Sequence, residues 1–309
     1  MRKKLRVAVL MGGNSSEYEI SLISGREVLT NLSKKYVGIP IIIPKKGSEW
    51  VDRLLLAKAD ICFIAMHGPF GEDGKIQGLL DTLGIKYTGS KVAASAIGMD
   101  KILFRKMMIA ENLPIPVYVV IAKNEKKINL ARLKKLPYFV KPYDQGSSVG
   151  ASIVRRRRDL KKALNLAFRF SDKALVDEYL KGMEVTCSVL GNEDAKALPV
   201  IEIIPRKGDF FDYESKYTES GSDEIVPARI SKKLTKIVQE LSINVHKAIG
   251  ARGFSRVDFI LKNNKDPIIL EINTIPGLTP MSLLPKAAKA YGLSYSELLD
   301  KIIKYSIYE

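Results

Sequence analysis

The sequence predicts an α/β protein with a parallel N-terminal sheet and an α+β C-terminal part. Three observations predict it. Short apolar runs alternate with helical patterns through residues 5–83, the order that a parallel sheet with crossover helices requires. The region from 173 onward is strand-rich and closes on two adjacent strand-like stretches, Arg256-Val257-Asp258-Phe259-Ile260-Leu261 and Ile268-Ile269-Leu270-Glu271-Ile272-Asn273, joined by turn residues. Between these parts Pro114-Ile115-Pro116 breaks the chain, and small glycine-bearing loops follow strands.

Taken in order, residues 5–10 read as a buried strand ending at Met11-Gly12-Gly13, and a helix follows over 17–32. Strands at 39–43 and 60–66 come next. The second empties into His67-Gly68-Pro69-Phe70-Gly71-Glu72-Asp73-Gly74 ahead of a helix over 75–83. In open α/β sheets the strand C-terminus and the next helix N-terminus form a ligand crevice with free N–H groups. Gly12-Gly13-Asn14-Ser15-Ser16-Glu17 is not a GxGxxG fingerprint, so it gives no reason to invoke a dinucleotide. Glu17 suits a first helical turn on charge grounds alone. His67, at a strand end beside Gly68, is a candidate site residue.

The middle segment opens with helices over 93–97 and 101–111, then a strand over 117–121. Tyr138-Phe139-Val140-Lys141-Pro142 is a further strand, emptying into Tyr143-Asp144-Gln145-Gly146-Ser147-Ser148-Val149-Gly150. A loop with two serines and two glycines behind a strand-borne lysine can close over phosphates with N–H groups and hydroxyls. It is not a Walker A loop, and a plain hairpin turn is the bland alternative. Arg155-Arg156-Arg157-Arg158 then precedes Asp159, read as the N-cap of a helix through Leu160, Ala163, Leu164 and Ala167. Strands are expected at 173–177, 184–190 and 197–204. The polar stretch 206–224 has the length of a lid, and its aromatics argue against disorder. Helices over 231–249 and 294–305 complete the pattern.

In the hairpin, a loop of Asn263-Asn264-Lys265-Asp266 sets Leu261 near Ile268, Phe259 opposite Leu270 and Val257 opposite Ile272, an apolar core face. The other face then carries Asp258 opposite Glu271 and Arg256 opposite Asn273. Two carboxylates facing each other across a ladder repel. A hard cation held by Asp258, Glu271 and the Asn273 amide offsets that repulsion, and Arg256 beside it points to an anion, phosphate, meeting the metal. Solvated charges on an exposed face are the alternative. Thr274-Ile275-Pro276-Gly277-Leu278-Thr279-Pro280 leaves the second arm as a rigid loop whose N–H groups can face a ligand.

Bulk properties narrow the class. The 309 residues, 46% hydrophobic and 27% charged, suit a globular protein of two or three domains. No run reaches the ~18 apolar residues of a membrane span, and Met1-Arg2-Lys3-Lys4 leads into a strand rather than a signal core, so the expectation is cytoplasmic. Cys62 and Cys187 lie in apolar runs and read as small buried hydrophobes. A net charge of +16 would suit a polyanion, yet no helix-turn-helix, zinc finger or stacking motif accompanies it, so neither nucleic acid nor membrane is expected as a partner.

Taken together, Gly12-Gly13-x-Ser15-x-Glu17, His67-Gly68 with Gly71-Glu72-Asp73-Gly74, Met99-Asp100-Lys101, Val140-Lys141-Pro142 with Gly146-Ser147-Ser148-Val149-Gly150, Lys216-Tyr217, Arg256-x-Asp258 and Glu271-x-Asn273-x-x-Pro276-Gly277 resemble the D-alanine–D-alanine ligases of the ATP-grasp superfamily. The resemblance implies a three-domain ATP-grasp architecture: a Rossmann-like substrate domain over 1–92, a central domain over 93–176 and a C-terminal catalytic domain over 177–309 with the lid at 206–224. It implies that the carboxylate of one D-alanine attacks the γ-phosphate of ATP, and that the amine of a second D-alanine then displaces phosphate.

Carried over residue by residue, the resemblance makes Asp258, Glu271 and Asn273 ligands of two magnesium or manganese ions. Lys101, Lys141 and Lys216 would neutralise the nucleotide, Ser148 would join them, and Glu184 would hold the ribose. Arg256 and the Gly277 N–H would face the oxyanion of the tetrahedral species. Glu17 would pair with the first ammonium, with His67 nearby and with Ser147 and Tyr217 bonded to it. Ser282 and the Leu283 backbone would take the second carboxylate. The family often has Glu where Asp177 stands; with a shorter carboxylate here and Glu178 next to it, the backbone of Asp177, Tyr179 or Leu180 is expected at the adenine. A homodimer is implied, and a potassium requirement is left open. The rivals are a D-alanine–D-lactate or D-alanine–D-serine ligase, another ATP-grasp carboxylate–amine ligase, and a basic nucleic-acid-binding or regulatory protein on a non-catalytic ATP-grasp fold.

Overall fold

The computed structural model describes residues 4–206 and 222–307. Three sheets organise them. The first is parallel: β1 (Leu5–Gly12) lies between β2 (Tyr36–Ile43) and β3 (Ile61–Ile64), linked by α1 (Tyr18–Asn31) and α2 (Glu49–Leu56) and followed by α3 (Lys75–Thr82). β1 and β3 are apolar throughout their paired length because helices cover both faces of such a sheet.

Two short helices, α4 (Val92–Met99) and α5 (Lys101–Ala110), lead to the second sheet. Asp100 caps α5 by accepting from the N–H groups of Ile102 and Leu103 at 2.8 and 2.9 Å. This antiparallel sheet comprises β4 (Tyr118–Ala122), β5 (Tyr138–Pro142), β6 (Ser152–Val154) and β7 (Lys173–Glu178), in the order β4-β7-β5-β6. Helix α6 (Leu160–Ala167) covers one face through Leu160, Ala163, Leu164 and Ala167. Asp159 stands at its N-cap position, as expected, but in helical geometry at the end of a 3-10 turn over Arg157–Asp159, and its side chain makes no capping bond. The tetra-arginine turn is exposed.

The third sheet contains β8 (Gly182–Leu190), β9 (Lys196–Ala197), β10 (Ile201–Pro205), β11 (Ser222–Ile225), β12 (Phe254–Lys262) and β13 (Asp266–Asn273). The strand expected over 197–204 is split into β9 and β10, with Pro199, which has no N–H to give a ladder, between them. Helix α7 (Lys232–Ala248) packs on this sheet, with the Ser231 hydroxyl accepting from the Leu234 N–H at 3.2 Å as its cap.

The hairpin register is as expected at its open end, Arg256↔Asn273, Val257↔Ile272 and Asp258↔Glu271, and differs toward the turn. There Phe259 pairs with Ile269 and Leu261 with Pro267, because Leu270 is an extra, bulged residue. The turn shortens to Asn263-Asn264-Lys265, with both asparagines in left-handed geometry (φ 54° and 58°). Ile269 therefore takes the core position expected of Leu270, and Leu270 turns toward a cavity.

The last two helices, α8 (Leu283–Ala290) and α9 (Tyr295–Ile307), return to the beginning of the chain. Leu284, Leu298, Leu299, Ile302 and Ile303 belong to the same buried cluster as Val7, Val9 and Leu10. Among the described residues, no helix is long and apolar enough to cross a membrane.

Candidate functional site

Two cavities flank the hairpin. The smaller, about 430 Å³, opens beside the parallel sheet. Its floor is the β1–α1 turn, where Ser15 Oγ donates to the His67 carbonyl at 2.7 Å and accepts from the Glu17 N–H at 3.1 Å. These bonds bring the ends of β1 and β3 together and aim Glu17, only 6% exposed, into the cavity. Gly68 is required here: its φ is +73°, and a Cβ would lie 2.6 Å from Glu17 Oε2. From the loop between β5 and β6, Ser147 Oγ donates to Glu17 Oε1 at 2.7 Å. Ser147 and Ser148 both hold left-handed backbone (φ 49° and 59°), uncommon for residues with a Cβ.

His67 is buried between Ser24 Oγ, 2.8 Å from Nε2, and the Ile275 carbonyl, 3.2 Å from Nδ1. Nδ1 carries the proton toward that carbonyl. Burial disfavours the imidazolium, but Glu72 at 3.7 Å, Glu17 and the Ile275 carbonyl outweigh it, so the pKa is raised. His67 thus fastens the β3 end to the loop after β13, with its ring within the cavity wall.

The larger cavity, about 870 Å³, lies between the second and third sheets. Lys101, Lys141, Ser148, Asp177, Tyr179, Leu180, Glu184 and Leu270 line it. Arg105 grips Asp177 with two bonds, 3.0 and 2.9 Å, and Lys141 Nζ stands 3.7 Å from the same carboxylate. Burial lowers the Lys141 pKa to about 8; Asp177 opposes that shift and Arg105 reinforces it. The Asp177 carboxylate is thereby engaged with cations.

Lys101, Glu184, Asp258 and Glu271 line both cavities, so the hairpin carboxylates stand where the two meet. Asp258 accepts two bonds from Arg256, both 2.8 Å, and one from Thr186 Oγ1 at 2.6 Å. Glu271 lies 3.4 Å from Lys101 Nζ, which also donates to the Gln145 carbonyl at 2.7 Å. Burial works against the Arg256 charge and Asp258 more than restores it, raising its pKa. The Asn273 side-chain oxygen accepts from the Ile275 N–H at 2.8 Å. Two carboxylates and an amide oxygen on one sheet face form a donor set for a hard cation, and cationic side chains balance the carboxylates in this structure.

At the far end of the smaller cavity, Ser282 precedes α8 without capping it. Its hydroxyl instead meets Thr279, 3.1 Å from the N–H and 2.8 Å from Oγ1. Gly277 lies against it, since a Cβ there would stand 2.6 Å from Ser282 Oγ. Gly277, Ser282 and Leu283 all face the cavity beside the α8 N-terminus, an anion-favouring position. Lys216 and Tyr217, with most of the stretch read as a lid, lie outside the described residues.

The family model for the D-Ala–D-Ala ligase C-terminus matches residues 107–304, and that for the N-terminus matches 6–55 and 52–90. The chain belongs to the D-alanine–D-alanine ligase family. A ligase of that name from Pelotomaculum thermopropionicum is 43% identical over 312 residues, covering 98% of this chain and 97% of the relative. A crystal structure of the D-alanine–D-alanine ligase from Bacillus anthracis superposes with a TM-score of 0.87 at 37% identity, covering 98% and 97% of the two chains. A crystal structure of D-alanine–D-alanine ligase from Bacillus anthracis complexed with ATP gives 0.85 at 34% identity and the same coverage. The VanG D-Ala:D-Ser ligase from Enterococcus faecalis gives 0.84 at 32% identity, covering 98% and 100%. The mixed architecture of one parallel and two antiparallel sheets is that of the ATP-grasp fold.

Two residues of the site escape the sequence pattern. Arg105 reads as one more cation on a short helix, and Thr186 as a β-branched strand residue. What identifies them is a partner 72 positions away in each case, Asp177 and Asp258.

Proposed function

We propose that the chain joins two D-alanines into D-alanyl-D-alanine while ATP is converted to ADP and phosphate, a reaction that supplies peptidoglycan precursors. One observation carries this reading: the Asp258–Glu271 wall is shared by a lysine-lined cavity sized for a nucleotide and a smaller cavity holding Glu17. Lys101 and Lys141 lie where they would neutralise phosphate oxygens. Asp258, Glu271 and Asn273 would hold two magnesium or manganese ions, which would supply further charge neutralisation between the phosphates. Arg256 and the Gly277 N–H are arranged for the oxyanion formed when the second amine attacks the acyl phosphate. Glu17, oriented by Ser147, is suited to hold the first ammonium. Ser282 and the α8 N-terminus suit the second carboxylate.

The same reading makes the protein a cytoplasmic homodimer. A D-serine acceptor is the second reading, favoured by the full-length likeness to the D-Ala:D-Ser ligase. The deciding experiment is phosphate release from ATP with D-alanine alone and with D-alanine plus D-serine or D-lactate, the products identified by mass. D-alanyl-D-alanine as the sole product from D-alanine supports the proposal. No turnover with D-alanine across magnesium, potassium and temperature ranges overturns it.

A further inference from the structure

The smaller cavity contains a third cation with no role so far. Lys286 stands one turn beyond Ser282 on α8, its N–H donating to the Ser282 carbonyl at 3.2 Å, so both side chains share a helix face. Its ammonium donates to Glu224 on β11 at 2.6 Å, and both residues line the cavity. Among the described residues, the other two lysine or arginine side chains in that wall, Arg256 and Lys101, are held at the hairpin carboxylates Asp258 and Glu271. Of these three, Lys286 is the one carried by the helix whose N-terminus faces the same space.

We propose that Lys286 is a binding residue for the α-carboxylate of the second amino acid, and that Glu224 is the counter-charge with which that carboxylate shares it. This rests on the ligase reading above. An amino acid entering as acceptor must present a neutral amine to the hairpin end while its carboxylate stays charged. Ser282 and the α8 N–H groups offer that carboxylate neutral donors and a partial dipole. A full positive charge one turn along strengthens such bonds because the site is partly desolvated. In this structure Glu224 balances the ammonium. When the acceptor binds, its carboxylate shares the ammonium with Glu224.

Steady-state kinetics of the whole enzyme separate the two D-alanine sites and test the assignment. K286M should raise the KM of the second D-alanine about tenfold or more, with the KM values for ATP and the first D-alanine within about twofold of wild type. K286R should recover most of the loss. E224Q leaves the cation in place, so it should hold the second KM within about twofold or lower it. If E224Q raises that KM as much as K286M does, the pair is a strut between β11 and α8 and the assignment is wrong. A K286M enzyme with an unchanged second KM overturns it equally. Wild-type protein that fails to make D-alanyl-D-alanine defeats the ligase reading itself, before any variant is compared.

Discussion

Ser147 Oγ and Glu17 Oε1, 130 positions apart in sequence, are joined by a 2.7 Å hydrogen bond that links the loop after β5 to the first turn of the chain's parallel sheet. The loop holding this serine is built at some conformational cost, with two consecutive serines in left-handed geometry. Such geometry is retained where a contact depends on it, and here the contact is to a carboxylate only 6% exposed.

Removing that donor tests its contribution. A hydrogen bond to a charged group contributes about 1.5–3 kcal/mol, so S147A should lower kcat/KM for D-alanine by about 10- to 150-fold. ATP binding, measured by fluorescence-detected titration, should change little. Wild-type kcat/KM in S147A would remove the bond from the account.

Glu271 is 3.4 Å from Lys101 and faces Asp258 where the cavities meet. E271Q keeps the shape and removes a negative charge from the donor set. Turnover should fall below detection while Tm stays within about 3 °C, since the side chain is not part of the core. Near-wild-type turnover would contradict the metal assignment.

Lys141 supplies a pH dependence. With its pKa lowered to about 8 in the free protein, the ammonium is progressively lost as pH rises through that value. kcat/KM for ATP should therefore fall above pH 8, by about tenfold per unit once deprotonation is extensive. K141R keeps its charge, and its profile should stay flat through this range. A falling limb in K141R at the same pH assigns the titration to another group.

Arg105 is fully buried, bonded twice to Asp177 and set over the Tyr118 ring at 5.0 Å. Breaking a buried pair by deleting one partner costs about 3–5 kcal/mol, so R105M should lower the denaturation midpoint strongly. Replacing both partners, R105M/D177L, should be less destabilised than the single variant. R105M should also move the Lys141 limb to higher pH, because the Arg105 charge is one of the influences lowering it. Additive losses in the double variant would show that the two residues do not act as a pair.

The open end of the hairpin was legible because two strong strand patterns and a polar turn leave few registers, and that register alone brings Asp258 against Glu271. The bulge at Leu270 was not, since strict alternation carries no signal for an inserted residue. Helix α8 was missed because Pro285 reads as a breaker. It occupies the first turn, where no intrahelical N–H bond is required of it. Helix α2 buries only Trp50 and Leu54, too short a stripe to stand out. Arg105 and Thr186 depend on partners that only tertiary structure supplies.

The return of α8 and α9 to the first sheet bears on how the protein is made. During synthesis β1, α1, β2, α2 and β3 emerge before the other described elements, and domains generally fold as units in order of emergence. Here the buried cluster around Val7 and Leu10 also includes Leu298, Leu299, Ile302 and Ile303, which emerge much later. The cluster that buries the opening segment is therefore completed in part by residues nearly 300 positions further along. Chains truncated before residue 295 lose Leu298, Leu299, Ile302 and Ile303 from that cluster and should show a lower Tm and more aggregation than the full chain.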